Sequence, residues 1–308
     1  MKIAIIGAGA MGCVYGAHLS TQHEVMMVDA YKPQVDAINQ TGIILENLKG
    51  EQTIYSNVKA SLAGEYKELV DLVIVFVKTT MTLQALESNK QLFQKDTLVM
   101  TLQNGAGNDR KIEQFVAKEN VIIGTSKINA VNLGQAKSKP SGDGMTTIGS
   151  NYQETKKVAI IAKALSDCGL AVEVSDDIQR IIWSKLFVNL AVNSFTALIE
   201  TPIGYMIKNH YAWDFAKRLI YEAVEVAEAD GTYFDRREAL EMVRKVCVDA
   251  GEGYSSMYQD RQRRVEMEID AINGAIVEQA KLYGVPTPYN ALIVDLIHAV
   301  EGAYEFYN

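Results

Sequence analysis

An α/β architecture is the fold class this sequence predicts: an N-terminal doubly wound parallel sheet of the nucleotide-binding type, then an all-α C-terminal unit. Three observations carry the prediction. Short apolar, β-branched runs alternate with helical patterns through the first half of the 308 residues. A glycine-rich turn joins the first run to the first helix. Beyond Ser175 the runs cease, and a helical period continues to the end.

The runs KIAIIG (2–7), EVMMVD (24–29), DLVIVFVK (71–78), TLVMTLQ (97–103) and NVIIGT (120–125) are continuous apolar strands, as expected of a sheet covered on both faces. Helices are predicted between them at 10–20, 33–41, 80–93 and 108–118. Residues 126–150 are polar and glycine-rich, which predicts antiparallel strands closing the edge of the sheet. A helix (154–167) and a strand (170–174) complete a dinucleotide-binding domain spanning 1–174. The remainder, 175–308, is a helical substrate and catalytic domain with helices predicted at 177–198, 211–230, 236–250, 257–283 and 289–306. ETPIG, Gly231, GEGYSS and GVPTP break the pattern between them.

With 48% hydrophobic and 22% charged residues, the composition is that of a globular chain. The net charge of −8 opposes binding to nucleic-acid backbone or anionic lipid, which leaves small molecules as partners. Cys13, Cys168 and Cys247 are widely spaced and form no metal-type cluster, as in a reduced cytoplasmic protein. The four histidines have no ligand spacing, so no metal is assigned. The N-terminal apolar run is broken by glycines and lacks a cleavage site, so it is not read as a targeting segment. No stretch reaches the ~18 uninterrupted apolar residues of a membrane span.

GAGAMG follows a strand and opens a helix, the context in which GxGxxG binds a dinucleotide. Gly7 permits the tight turn, Gly9 the approach of a pyrophosphate, and Gly12 close helix packing; the helix start, with Ala10 and Met11, supplies N–H groups to the phosphates. Asp29 ends the second strand, where a carboxylate accepts the ribose hydroxyls of NAD(H) and repels the 2′-phosphate of NADP(H). Lys32, one turn away, can offset that repulsion, and Asp29 can instead cap the next helix. Lys78 ends the strand 71–78 and Asn104 follows the strand 97–103; both are expected in the cofactor crevice, or else as a solvated strand end and a turn residue.

In the helical half, WSKLFVNLAVNSF sets Lys185, Asn189 and Asn193 at four-residue intervals along an apolar helix. Each step turns about 40°, giving one slanted polar stripe. Hydride addition to a carbonyl builds negative charge on oxygen, and an ammonium at that atom meets the need. A lysine on an apolar helix can also simply snorkel, but buried amides require partners.

GAGAMG, LQNGAG, KLFVNLAVN and SSMYQDRQRRVEMEIDAINGAIVEQAKLYGVPTPYN (255–290) together resemble the ketopantoate reductase family over nearly the whole chain. The resemblance implies that Lys185 is the general acid, that Glu268 contacts substrate and sets the lysine's environment, and that Ser256 helps to hold the substrate. Asn104, Asn189 and Asn193 match positions lining the site, and Lys78 matches a cleft lysine. Read alone, Glu268 is also a charge on a solvated face, Ser256 a helix cap, and Arg261, Arg263 and Arg264 surface residues.

Two departures stand out. Many members prefer NADPH and carry a basic residue where this chain has Asp29. An asparagine often precedes the matching serine by three residues, where this chain has Gly253. Both point towards a branch of the family similar to NAD-dependent D-2-hydroxyacid dehydrogenases of the D-mandelate type. The expected reaction is reversible hydride transfer between a nicotinamide cofactor and a branched 2-oxo acid, either ketopantoate or a bulkier acid. The alternatives are a β-hydroxyacid dehydrogenase and a non-catalytic dinucleotide sensor. Apolar helix faces and the tail EGAYEFYN suggest a homodimer.

Overall fold

The computed structural model describes residues 1–141 and 144–307, so Gly142, Asp143 and Asn308 lie outside the description. The chain divides into two compact units, one of Met1–Gln103 with Asn108–Ile178, the other of Asn104–Gly107 with Gln179–Asn308.

The first unit is built on β1 (Lys2–Ile6), α1 (Ala10–Leu19), β2 (Glu24–Asp29), α2 (Lys32–Thr41), β3 (Ile43–Glu46), β4 (Gln52–Tyr55), β5 (Lys59–Leu62), β6 (Leu72–Val75), α3 (Thr82–Ser88), β7 (Leu98–Thr101), α4 (Asn108–Ile112), β8 (Val121–Ser126), β9 (Ala130–Gly134), β10 (Lys137–Pro140), β11 (Thr146–Gly149), α5 (Thr155–Asp167) and β12 (Val172–Val174). Its main sheet runs β12-β11-β8-β7-β6-β1-β2-β5. The pairs from β5 to β8 are parallel, and β11 runs antiparallel to β8. Successive strands build outwards from β1 first through β2 and then through β6, so the order reverses between β1 and β6. That reversal is the point at which an open sheet accepts a ligand.

The sequence reading misses one strand of this unit, and two expectations are corrected. β5 belongs to the main sheet, but its sequence KASL lacks the apolar run of a buried strand because it lies at an edge. Residues 126–150 do not simply close the main sheet: β11 does, whereas β9 and β10 pair with β3 and β4 in a separate sheet ordered β4-β3-β10-β9. The strand predicted to end at Lys78 ends at Val75, and the helix predicted over 80–93 is reduced to α3 flanked by short 3₁₀ turns. Helix α1 is buried on nearly every side, packed against both the main sheet and the second one. A Cβ at Gly16 would lie 2.5 Å from Met27 Sδ and 3.4 Å from Ile43 Cδ1, which fixes how closely the helix sits between β2 and β3.

The second unit comprises α6 (Ile178–Ile199), α7 (Tyr205–Lys208), α8 (His210–Ala229), α9 (Arg236–Ala250), α10 (Ser256–Gln262), a π-helical segment (Asp270–Gly274) leading into α11 (Ala275–Tyr283), and α12 (Pro288–Gly302). Trp183, Leu186, Phe187 and Leu190 of α6 are fully buried among α8, α9, α11 and α12. By length and mean hydropathy (1.3), α6 would suit a membrane span, yet 56% of that window is buried inside the protein. It is the core helix of its unit.

The predicted helix 257–283 is broken at 263–268 without a glycine or proline. Arg264 adopts φ +53°, Val265 N–H donates to Asp260 O (3.1 Å), and Arg264 N–H to Arg261 O (2.9 Å). This is a left-handed helix end of the kind glycine normally supplies. Beyond it Met267 N–H leaves the helical ladder for Glu301 Oε1 (2.6 Å). Arg261 is not a surface charge. Its guanidinium donates to Ala197 O (2.6 Å) and Leu198 O (2.7 Å) and pairs with Glu200 (2.7 Å), closing the C-terminus of α6.

Candidate active site and cofactor loop

In the first unit, Gly7 follows β1 with φ +103°, and a Cβ there would come within 2.7 Å of Val77 N. At Gly12 a Cβ would sit 1.9 Å from Gly7 O, so the helix reaches the turn only because no side chain intervenes. Gly9 differs: nothing lies within 4 Å of an added Cβ. Internal packing therefore gives no reason for glycine at residue 9, whereas a phosphate approaching the backbone does. Gly9 precedes α1 without a side-chain cap, and the N–H groups of Ala10, Met11 and Gly12 in the first turn have no carbonyl within the helix to donate to.

Asp29, half-buried, accepts from Ala8 N–H (2.7 Å, Oδ2) and Tyr31 N–H (2.8 Å, Oδ1). Helix α2 starts at Lys32 with no side-chain cap, so Asp29 fixes the loops rather than capping that helix. Each carboxylate oxygen keeps accepting capacity for a ribose hydroxyl. Lys32 donates to both oxygens of Asp36 (2.8 and 2.7 Å), a pairing along α2 itself.

Gln34 was missed by sequence reasoning. Its buried amide donates to Ala8 O (2.6 Å) and accepts from Ala136 N–H (2.9 Å). The Ala8 peptide is thus held at its N–H by Asp29 and at its carbonyl by Gln34, which sets the backbone from which Gly9 departs. Lys78 is exposed, at the start of a 3₁₀ turn. The neighbouring Val77 carbonyl accepts from Gln103 Nε2 (2.6 Å), tying the loop after β6 to the end of β7. A dinucleotide suits this set: an open glycine, a helix start and a positioned carboxylate.

In the second unit, Lys185, Asn189 and Asn193 lie in successive turns of α6. Lys185 and Asn189 are half-buried, and Asn193 is 7% exposed. Burial pushes the Lys185 ammonium below its ordinary value of 10.5, and the negative charge of Glu268 pushes it partly back. Among the described residues, the side-chain amides of Asn189 and Asn193 make no hydrogen bond. Both amides therefore keep hydrogen-bonding capacity for solvent or a ligand.

Glu268 is half-buried in the break before the π-helical segment, and its Oε2 accepts from Asn104 Nδ2 at 2.9 Å. Asn104 reaches it because Gly105 (φ +93°) lets the loop Asn104–Gly107 lie against the segment: a Cβ at Gly105 would come within 2.1 Å of Ala271 O. Ser256 is the first residue of α10 and exposed. The cap is the neighbouring Ser255, whose buried hydroxyl accepts from Tyr258 N–H (3.1 Å) and meets Thr196 Oγ1 at 2.8 Å. Ser256 is therefore relieved of the capping role.

The helical unit thus brings together Lys185, Glu268 and Asn104: an ammonium, a carboxylate that acts on it, and an amide bonded to that carboxylate. Such a set can give a proton to a developing oxyanion.

Residues 3–153 match the family model described as ketopantoate reductase PanE/ApbA, and residues 177–301 match that of its C-terminal part. The chain is 33% identical over 310 residues to the 2-dehydropantoate 2-reductase of Lactococcus lactis and 32% identical over 303 residues to that of Pyrococcus abyssi; in each case 98% of both chains is covered. Among solved structures it is similar to D-mandelate dehydrogenase with NADH and anilino(oxo)acetate (TM-score 0.86, 32% identity, 98% of this chain and 99% of that one). A ketopantoate reductase from Ralstonia eutropha is also similar (TM-score 0.84, 29% identity, 99% and 100% covered).

Proposed function

The chain belongs to the ketopantoate reductase family, and from that footing we propose that it is an NADH-preferring reductase of branched or aromatic 2-oxo acids, forming the D-2-hydroxy acid. It is an oxidoreductase that transfers hydride between a nicotinamide cofactor and a 2-oxo acid. The observation that carries the proton chemistry is the coupling of half-buried Lys185 to Glu268, itself held by Asn104.

When bound, the cofactor supplies the hydride to the ketone carbon. Gly7, Gly9 and Gly12, with the first-turn amides of Ala10 and Met11, would hold its phosphates, Asp29 would accept from its adenosine ribose, and Lys78 would contribute a cation to its site. As negative charge grows on the substrate oxygen, Lys185 stabilises it and delivers the proton. Partial burial brings the ammonium closer to the pH of the reaction, where an acid transfers its proton most readily, while Glu268 keeps it charged before transfer. Asn189, Asn193 and Ser256 offer hydrogen bonds to the substrate carboxylate.

Two features support NADH and a bulkier acid. The Asp29 carboxylate is held beside the glycine turn by Ala8 N–H, where it would repel a 2′-phosphate, while Lys32 is paired with Asp36. At Gly253 an added Cβ would approach Ala250 O to 2.9 Å, so the asparagine common in the family does not fit this backbone without a shift. The chain therefore offers no amide to the substrate from that position. Turnover of ketopantoate, benzoylformate and 2-oxoisovalerate, each with NADH and NADPH, tests the proposal. Benzoylformate with NADH is expected to give the highest kcat/KM; a preference for ketopantoate with NADPH overturns the specificity. Lys185→Ala is expected to lower kcat by about 10²-fold or more, and near-normal turnover of that variant removes the mechanism.

A further inference from the structure

Asn273 lies inside the π-helical segment, completely buried. Its Nδ2 donates to Leu190 O of α6 (3.1 Å) and to Asn290 Oδ1 of α12 (3.0 Å). Asn290, equally buried, passes the connection on: its own Nδ2 donates to Glu222 Oε2 (2.8 Å) and Leu219 O (3.2 Å) of α8. Glu222 also accepts the N–H groups of Tyr289 and Asn290, closing the start of α12. By contrast, Asn273 Oδ1 has no hydrogen-bond partner among the described residues. A buried acceptor left unsatisfied is costly, and packing alone would be better served by leucine. The asparagine is retained for what its two N–H groups hold.

What they hold is the stretch of backbone that carries the chemistry. Leu190 lies next to Asn189 on α6, just over one turn beyond Lys185. The π-helical segment begins two residues after Glu268, and its Ala271 carbonyl is the surface against which Gly105 sets Asn104. A π turn adds a residue to the helical circuit and rotates everything before it, so the aim of Glu268 depends on where this segment is anchored. Asn273 is the side-chain hydrogen bond from that segment to α6 itself.

We infer that Asn273 is a positioning residue for proton transfer: by pinning the π-helical segment to the Leu190 carbonyl, it sets the register of Glu268 and Asn104 against Lys185. The inference rests on the reading of Lys185 as the acid. Both Asn273→Leu, which keeps the branched shape without donors, and Asn273→Asp, which keeps the shape but exchanges the donor group for an acceptor, test it in the full-length enzyme with NADH and benzoylformate. For each, kcat is expected to fall roughly 10- to 100-fold, with KM for NADH within about twofold of wild type because the cofactor loop is in the other unit. Asn290→Leu cuts the same network one step further on; it is expected to lower Tm while leaving kcat within about threefold.

Should Asn273→Leu not fold, the isosteric Asn273→Asp carries the test. If kcat is retained in a folded Asn273 variant, the inference is wrong. It is equally wrong if Asn290→Leu loses as much kcat as Asn273→Leu, since the network is then general scaffolding. Lys185→Ala measured alongside separates the two levels: normal turnover there refutes the acid, whereas loss there with retention in the Asn273 variants refutes only the positioning.

Discussion

Truncating Asn104 to alanine removes the hydrogen bond from Nδ2 to Glu268 Oε2 at 2.9 Å. The loop should keep its shape, because Gly105 and its contact with Ala271 O are untouched. A hydrogen bond to a charged group contributes about 1.5–3 kcal/mol. Glu268 is half-buried, so water replaces part of the lost interaction, and the lower half of that range applies. At about 1.4 kcal/mol per tenfold change, kcat/KM should fall roughly 10- to 40-fold in steady-state assays with NADH and benzoylformate. Asn104→Asp should be worse than alanine, since it places two carboxylates where one amide met one carboxylate. Activity of Asn104→Ala within threefold of wild type, or of Asn104→Asp equal to it, would refute the idea that Asn104 holds the countercharge of the acid.

Glu268→Gln retains an acceptor for Asn104 but removes the negative charge that favours protonated Lys185. The ammonium then gives up its proton more easily, so the basic limb of the kcat–pH profile should move to lower pH; a limb that stays put or moves up contradicts the coupling. Asp29→Asn keeps an acceptor yet abolishes the repulsion of a 2′-phosphate, and the NADH:NADPH ratio of kcat/KM should drop by about tenfold or more. An unchanged ratio would place cofactor choice elsewhere. Arg261→Ala strips two charge-assisted bonds and the Glu200 ion pair from the end of α6, about 3 kcal/mol at about 1.5 kcal/mol per bond. At about 2–4 °C per kcal/mol, Tm should fall by roughly 6–12 °C, and calorimetry showing no change would return Arg261 to the surface.

Elements whose causes are local were legible in the sequence. The glycine turn, Asp29 at a strand end and the four-residue stripe on α6 each depend on neighbours within a few residues. Features with distant causes were not. The break at 263–268 leaves no glycine or proline to read, because Arg264 takes the left-handed conformation and Met267 N–H finds Glu301, 34 residues away. The edge strand β5 carries too few apolar residues to announce itself. Gln34 and Arg261 look like ordinary surface positions until their backbone partners, Ala8 and Ala197, are brought to them by folding. Asn273 is the exception that sequence could have flagged, since an amide within AINGAIV is the same signal that singled out Asn189 and Asn193.

The loop Asn104–Gly107 has a bearing on how such a protein can be taken apart. Its residues are encoded in the middle of the first unit but are structurally part of the second, so the chain passes between the units at 103, at 107 and again at 178. A gene fragment starting at residue 179 would encode every helix of the second unit and yet lack Asn104 and the glycine that seats it on Ala271. Domain exchange between relatives by a single recombination at that junction would therefore pair one parent's Asn104 loop with the other's Glu268 segment. The loop and the helices form one structural set, and chimaeras joined at 178 need the loop transplanted together with the helices.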